Sequence, residues 1–340
     1  MKDWTNRCHF GDCLETLRRM PNGLVQTCVT SPPYFGLRDY GHAGQIGLEP
    51  TPDEFVAKLV TVFREVKRVL RDDGTLWVNM GDSYAGHHGN KNAAYDDAPS
   101  NKGGYFENQR RTTVGMGGLK AKDLIGVPWM LAFALRADGW YLRQEIIWAK
   151  PNPMPESVTD RCTKSHEQIF LLAKSASYYC DMGAIKEPAV GQNEHDLTGP
   201  GYSAPGQSAN TGNRGRGGKN AFRGQGHFRE SDTGPANREG RDMQDVGAGD
   251  TRNKRSVWTV STKPYKGAHF ATFPTDLIEP CILAGAPAGG VVLDPFFGSG
   301  TTGQVAQALG RAFIGIELNE AYKPLQDERL RQTSLLLEAA

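Results

Sequence analysis

The sequence lacks the features of several well-known classes of protein. No apolar stretch approaches the roughly 18 residues of a membrane span, and the start of the chain, Met1–Asn6, has no apolar signal-peptide core. The six cysteines form no Cys-x-x-Cys pair, and the eight histidines do not have the spacing of metal-binding residues. We therefore expect a cytoplasmic protein with reduced thiols, no metal, no disulfide framework and no membrane partner.

The charge is unevenly distributed. The 340 residues can form one large domain or two smaller ones, and the formal net charge of +1 points to no partner by itself. Aliphatic residues almost disappear between 186 and 256, and residues 208–256 contain ten Lys or Arg against six Asp or Glu. This composition is equally typical of a linker without fixed structure and of a basic region that becomes ordered on a polyanion.

Strands and helices alternate on both sides of that segment. The predicted strands are 24–30, 75–79, 141–148, 169–173, 290–294 and 312–317. The predicted helices are 53–71, 123–137, 274–286 and 301–309. We expect Asp53 to cap the first helix and Asp72-Asp73-Gly74 to form a turn. The alternation indicates an α/β doubly wound sheet.

A glycine-rich turn follows a predicted strand near the C-terminus. Val291–Asp294 leads into Gly298-x-Gly300-x-x-Gly303 and a helix. Small residues let the backbone approach a ligand, and a helix N-terminus offers N–H groups to an anionic group. Glu317 ends the next strand, where a carboxylate can bind two ribose hydroxyls. The pattern predicts a nucleotide-like cofactor, and a nicotinamide cofactor would fit it too. The alternative is that the glycines only permit tight packing of the helix on the strand.

A second motif, Thr30-Ser31-Pro32-Pro33-Tyr34, ends a buried strand. The prolines fix the backbone and remove two N–H donors, which leaves the Pro32 carbonyl free to accept a hydrogen bond. Ser31 adds a second acceptor, and Tyr34 offers a flat face for stacking. These groups suit a planar base that carries an amino group. Taken alone, the motif is better explained by an ordinary proline-rich turn.

Together, Thr30–Tyr34 and Asp294-Pro-Phe-Phe-Gly-Ser-Gly-Thr-Thr302 resemble the amino-methylating DNA methyltransferases, which act on N4 of cytosine or N6 of adenine. The order, with the catalytic motif first and the cofactor motif last, resembles their circularly permuted β group. Other similar stretches are Phe10–Leu14, Arg68–Trp77, Gly81–Tyr84, Leu119–Trp129 and Phe273–Leu277. The likeness covers roughly 8–185 and 256–325.

The resemblance implies a Rossmann-like fold and S-adenosyl-L-methionine as the methyl donor. It implies that Asp12 binds the cofactor adenine and Glu317 the ribose hydroxyls. The residues implied around the turn are Asp294, Phe296, Gly298 and Gly300, with Thr275, Thr301 and Thr302 as candidates for the methionine carboxylate. The residues implied for the target base are Ser31, Pro32, Pro33 and Tyr34.

The resemblance also divides the chain. It implies a catalytic half at 1–185, a target-recognition insertion at 186–256 and a cofactor-binding half at 257–340. The polar loop at 85–118 is the rival candidate for DNA contact, through Lys91, Lys102, Arg110 and Arg111. Double-stranded DNA is the expected partner, and a homodimer is one of the oligomeric states left open.

The target base and two alternative functions remain open. Ser31, in place of the Asp or Asn common in this motif, slightly favours cytosine N4 over adenine N6. Pro280-Cys281 has the residues of the nucleophile in carbon-methylating cytosine enzymes, but its place on a predicted helix indicates a buried structural cysteine. An oxidoreductase would use the same glycine turn, although no hydride-transfer site is found. A DNA-binding protein without catalysis is disfavoured by the intact motifs.

Overall fold

The computed structural model describes residues 4–36, 44–88, 111–112, 116–189, 251–262 and 273–338. The strands are β1 (Arg7–Phe10), β2 (Val25–Thr30), β3 (Leu70–Met80), β4 (His87–His88), β5 (Arg111–Thr112), β6 (Tyr141–Ala149), β7 (His166–Ala173), β8 (Glu187–Pro188), β9 (Thr251–Arg252), β10 (Val257–Thr259), β11 (Val291–Asp294) and β12 (Ala312–Glu317). The helices are α1 (Cys13–Arg19), α2 (Pro52–Val69), α3 (Val127–Ala137), α4 (Thr275–Gly285), α5 (Thr301–Ala308) and α6 (Lys323–Glu338). Short 3-10 turns lie at Met116–Gly118 and Glu320–Tyr322.

The chain forms two compact units. One contains residues 1–186 and 253–340, and the other contains 187–252. The described part of the second unit is the antiparallel pair of β8 and β9, in which Arg252 Nε lies 2.8 Å from Glu187 Oε1.

Most of the predicted insertion and of the predicted polar loop lies outside the described residues. This applies to 190–250 and to 89–110. Lys91, Lys102 and Arg110 fall in the second gap, whereas Arg111 lies in β5 and pairs with His88 of β4. The roles predicted for both segments stay predictions.

One eight-stranded sheet organises the first unit, in the order β1-β12-β11-β2-β3-β7-β6-β10. Neighbouring strands are parallel, except that β7 runs antiparallel to both β3 and β6. All six residues of β2 are buried, as expected for a central strand covered on both faces.

Helices cover both faces of this sheet. Leu76 and Val78 of β3 belong to a core that includes buried side chains of α1, α2 and α3, whereas Trp77 belongs to a second core with α4 and α5. Because alternate residues of a strand face opposite sides, the two cores lie on the two faces. The predicted α/β, doubly wound, Rossmann-like fold is confirmed.

Helix α2 has the predicted period but a different cap. Its apolar positions from Phe55 to Val69 face the first core. The prediction that Asp53 caps the helix is wrong, because Thr51 is the N-cap and its Oγ1 accepts a hydrogen bond from Glu54 N at 3.2 Å. Asp53 lies in the first turn, where its charge favours the helix dipole.

The predicted turn at Asp72-Asp73-Gly74 lies inside a continuous strand. Val25 pairs with Leu70 and Thr27 with Thr75, so the register of β2 against β3 shifts between these pairs. The additional residues of β3 form an irregularity of the bulge type, which interrupts the ladder without ending the strand.

The predicted helix at 123–137 begins later, at Val127. Gly126 has a left-handed φ of 83°, and Pro128 in the first turn needs no N–H partner, so the helix starts there. No helix within the described ranges is long and apolar enough to cross a membrane.

Candidate active site

The two sequence motifs meet at the carboxyl ends of adjacent strands. β2 and β11 are parallel neighbours, with Thr27 opposite Val292. Thr30 Oγ1 at the end of β2 donates a hydrogen bond to Asp294 Oδ1 at the end of β11, at 2.6 Å. Residues 264 positions apart in the sequence are therefore in direct contact.

This contact lies where the winding of the sheet reverses. Helix α2 follows β2 and packs in the first core, whereas α5 follows β11 and packs in the second. The connections therefore leave the two strands on opposite faces, which opens a crevice beyond their carboxyl ends. Ligands of open α/β sheets bind at such a switch point.

The Asp294 side chain is buried, and both of its carboxylate oxygens accept hydrogen bonds from within the protein. Its Oδ1 accepts hydrogen bonds from Thr30 Oγ1 and, at 3.1 Å, from Phe296 N, and its Oδ2 accepts one from Thr302 Oγ1 at 2.6 Å. Its side chain is 2% exposed, and burial raises its pKa to about 6 in spite of these donors. Its implied role beside the cofactor stays a prediction, since both carboxylate oxygens are already bonded within the protein.

The glycines of the turn have different roles. Gly298 and Gly300 adopt φ values of 52° and 88°, which only glycine adopts at little cost. Gly300 is also the N-cap of α5. A Cβ at Gly303 would lie 2.7 Å from Phe297 Cζ, and the Phe297 ring stacks on Phe313 with centroids 5.5 Å apart. Tight packing thus explains Gly303, whereas the backbone of the other two shapes the turn.

Glu317 ties the end of β12 to the glycine turn. Its Oε2 accepts a hydrogen bond from Gly298 N at 2.7 Å, and its Oε1 accepts one from Asn319 N at 2.9 Å. Burial raises the pKa of this carboxyl. Phe10 of β1 pairs with Glu317, so Asp12 lies just beyond the neighbouring strand end, where it caps α1. The structure thus brings Asp12, Glu317 and the turn to one edge.

The threonines predicted for the methionine carboxylate are mostly engaged within the chain. Thr302 is 1% exposed and bonded to Asp294, and Thr301 is 4% exposed and accepts a hydrogen bond from Arg329 of α6. Thr275 is the half-buried first residue of α4, and its hydroxyl donates to Asp276 Oδ1 at 2.9 Å. Phe296 packs against the first core.

On the other side of the contact, the Ser-Pro-Pro-Tyr motif borders β3. Pro32 is buried, whereas Ser31 and Tyr34 are half-buried. Ser31 Oγ and Tyr34 Oη both lie near Asn79 Oδ1 of β3, at 3.4 and 3.3 Å. Asn79 Nδ2 donates to the Gln168 carbonyl at 3.2 Å, which fixes the amide with its oxygen toward the two hydroxyls.

Tyr34 also borders a cavity of about 180 Å³. Its hydroxyl donates to Glu167 Oε2 at 2.6 Å, and Glu167 forms an ion pair with Lys150. The cavity is further lined by Asp82, whose carboxylate accepts hydrogen bonds from the first N–H groups of α3, and by Lys164, whose pKa is lowered by burial.

Sequence reasoning did not find Asn79, Lys150, Lys164 and Glu167. No motif contains them, and they approach Tyr34 only because β3, β7 and β6 are neighbours in the sheet. Cys281 is buried in α4 as predicted, at 1% exposure, and burial raises the pKa of its thiol. That environment does not suit a nucleophile.

A doubly wound sheet with a glycine turn and a carboxylate at its switch point defines a Rossmann-like enzyme of the nucleotide-cofactor type. A family described as DNA methylase matches residues 25–328. The Type II methyltransferase M.Cfr9I of Citrobacter freundii is 47% identical over 322 residues, which cover 94% of this chain and 86% of that protein. M.SmaI of Serratia marcescens is 45% identical over 320 residues, which cover 94% and 89%.

Solved structures share the fold. PvuII DNA methyltransferase (cytosine-N4-specific) aligns with a TM-score of 0.58 and 17% identity over 95% of this chain and 85% of that one. A putative DNA modification methylase of Thermus thermophilus, in complex with S-adenosyl-L-methionine, aligns with a TM-score of 0.54 and 22% identity over 96% and 93%.

The chain belongs to the DNA methylase family. It is a DNA amino-methyltransferase that uses S-adenosyl-L-methionine, so the oxidoreductase alternative does not apply. The carboxyl edge of the sheet fits this cofactor, because the left-handed glycines keep side chains out of the turn, Glu317 ends β12 and Asp12 lies just beyond the end of β1.

Proposed function

We propose that this enzyme methylates an exocyclic amino group in double-stranded DNA, with N4 of cytosine favoured over N6 of adenine. The observation that carries the proposal is the 2.6 Å contact between Thr30 and Asp294. Through this contact, the strand that ends at the Ser-Pro-Pro-Tyr motif meets the strand that leads into the glycine turn. The contact supports a base held at this motif next to the cofactor site.

The target base has to leave the helical stack, at a cost of a few kcal/mol. Tyr34 offers the flipped base a face on which to stack. Its amine is a poor nucleophile, because the nitrogen lone pair is delocalised into the ring. Hydrogen-bond acceptors at the two amine hydrogens favour a pyramidal nitrogen and localise that lone pair.

Ser31 and Pro32 supply these acceptors. A hydroxyl has one proton to donate and two lone pairs that accept. Since Ser31 Oγ donates toward Asn79 Oδ1, its lone pairs are available to an amine hydrogen. The Pro32 carbonyl accepts the second hydrogen, and Pro33 fixes its direction because a proline ring restricts the backbone.

The cofactor half holds the methyl donor in place. When bound, S-adenosyl-L-methionine supplies an electrophilic methyl group on a sulfonium. Glu317 would bind its ribose hydroxyls, Asp12 its adenine, and Gly298 and Gly300 would line it; Thr275 stays the candidate for the methionine carboxylate. We expect direct transfer without a covalent base adduct: the amine nitrogen gains the methyl group and releases one proton to water, so positioning accounts for most of the rate.

Specificity and assembly are part of the proposal. The preference for cytosine N4 rests on Ser31 in place of an acidic or amide residue. We assign target recognition to the basic segment 186–256, with the loop at 85–118 as the rival. The reaction is placed in the cytoplasm of a bacterium or a phage-infected cell, and the homodimer stays one of the open oligomeric states.

Transfer of tritium from labelled S-adenosyl-L-methionine to unmethylated genomic DNA tests the proposal, and methylome sequencing identifies the base and its sequence context. Ser31→Ala should slow the transfer while the affinity for the cofactor is retained. Ser175→Ala, at the opposite edge of the sheet, is the matched control. A Ser31→Ala enzyme that works at the wild-type rate would contradict the acceptor role, and methylated adenine would reverse the base preference.

A further inference from the structure

Three side chains form a chain of contacts that starts at Tyr34 and extends beyond the two sequence motifs. Tyr34 Oη donates to Glu167 Oε2 at 2.6 Å, and Glu167 Oε1 pairs with Lys150 Nζ. The side chains of Lys150 and Glu167 are only 18% and 14% exposed. This ion pair is therefore largely shielded from water, unlike a surface pair.

Two contacts hold the Tyr34 ring in position. The hydroxyl end is held by the carboxylate of Glu167. A Cβ at Gly81 would lie 2.5 Å from Tyr34 Cε2, so the backbone of Gly81 is in close contact with the ring. Burial and the Glu167 charge both raise the pKa of Tyr34, which keeps its hydroxyl protonated and able to donate.

The ion pair is itself anchored in the sheet. Glu167 lies in β7, opposite Trp148 of β6, and Lys150 follows directly after β6. The Lys150 ammonium also lies over the Trp148 ring, 4.3 Å from its centroid. The position of the carboxylate is thus set by two strands that contain neither the catalytic motif nor the cofactor turn.

We infer that Lys150 and Glu167 are positioning residues that hold Tyr34 for stacking on the flipped base. This inference rests on the proposed function of the Ser-Pro-Pro-Tyr motif. A stacking face contributes more binding energy when its position is held before the base arrives, because ordering it afterwards costs binding energy. The pair acts through the Tyr34 hydroxyl, which Glu167 contacts directly.

The expected effect is specific to the base-binding step. Glu167→Gln replaces a charge-assisted hydrogen bond by a neutral one, and Lys150→Met leaves the carboxylate without its counter-charge. Each should slow single-turnover methyl transfer about tenfold. Cofactor affinity, measured by calorimetry, should be unchanged, since the glycine turn lies on the other side of the Thr30–Asp294 contact.

A double-mutant cycle with Tyr34→Phe tests the coupling, because phenylalanine keeps the ring and removes only the hydroxyl. Tyr34→Phe and Glu167→Gln should each slow the transfer, and the double variant should be no slower than the slower single variant. The second readout is the fluorescence of a base analogue at the methylated position, mapped beforehand by methylome sequencing. Lys174→Met is the control: it removes the ion pair of a largely buried lysine with the exposed Asp72 at the opposite edge of the sheet.

The outcomes separate this inference from the proposed function. If the wild-type enzyme methylates no amino group, the proposed function fails. If the wild type is active and both Glu167→Gln and Lys150→Met match the Lys174→Met control, the positioning role is overturned. It is also overturned if Glu167→Gln slows the Tyr34→Phe enzyme as much as it slows the wild type, because the pair would then act by another route.

Discussion

Replacing Asp294 by Asn should change how the stability of the enzyme depends on pH. The carboxylate lies buried between the catalytic strand and the glycine turn and accepts hydrogen bonds from Thr30 Oγ1, Thr302 Oγ1 and Phe296 N. Asparagine has almost the same shape. Its oxygen accepts from Thr30 and Phe296 N, and its amide donates to the Thr302 hydroxyl, which rotates to accept.

The sign and size of the effect follow from the raised pKa. The folded-state pKa of Asp294 is about 6, against 3.8 for an unperturbed group. The folded protein therefore holds this proton more tightly than the unfolded chain, so the stability that the group contributes is complete below pH 3.8 and is lost as the pH rises through about 6. At about 1.4 kcal/mol per pH unit, the loss amounts to about 3 kcal/mol.

Urea unfolding of the wild type and Asp294→Asn across this range measures the effect. The free energy of unfolding of the variant, relative to the wild type, should rise by about 3 kcal/mol between about pH 4 and about pH 7. Asp160→Asn is a control of opposite sign, because Lys122 lowers the pKa of the exposed Asp160. If the free energies of unfolding of the wild type and Asp294→Asn changed in parallel with pH, the raised pKa assigned to Asp294 would be wrong.

Three further predictions concern the cofactor edge and the insertion. Glu317→Ala should weaken the binding of S-adenosyl-L-methionine by about 1.5–3 kcal/mol in calorimetry, because a charge-assisted hydrogen bond is lost. Gly303→Ala should lower the free energy of unfolding by about 1–3 kcal/mol, since its Cβ would overlap the Phe297 ring; Gln304→Ala on the same helix controls for helix propensity. Replacing residues 190–250 by a short linker should retain cofactor binding and abolish sequence-specific methylation, and an unchanged methylated sequence would assign recognition to the loop at 85–118.

The sequence predicts those parts of the fold whose signal is local. The apolar period of α2 and the continuous apolar run of β2 are each contained in one segment, so the helix and the strand are found within a few residues. The prediction chose Asp53 instead of Thr51 as the cap because both residue types are good caps. Only the backbone conformation at Thr51 decides between them.

Features that depend on pairing are harder to predict. The sequence Arg-Cys-His-Phe of β1 has no clear strand pattern, and this strand exists because it pairs with β12. The Asp72-Asp73-Gly74 stretch has turn residues, yet pairing on both sides keeps it within β3. Strand direction is equally invisible in the sequence, so nothing indicated that β7 is antiparallel.

The residues of the candidate site also fall into two groups: those in local motifs and those that strand pairing brings together. Ser31, Tyr34 and the glycines are found because they form compact motifs with clear chemistry. Asn79 and Glu167 contact Tyr34 from 45 and 133 residues away, and each looks like an ordinary polar residue at the end of a strand. Only the order of the strands brings them together.

The strand order also constrains how the enzyme folds during its synthesis. β1 pairs with β12, and β2 pairs with β11, so the N-terminal strands keep open hydrogen-bonding edges until residues 291–317 leave the ribosome. Pairing over such sequence separations folds slowly, and unpaired edges in partly folded chains invite aggregation. The Thr30–Asp294 contact forms only at that late stage. Methylating activity can therefore begin only after residues 291–317 have been made and have paired with the N-terminal strands.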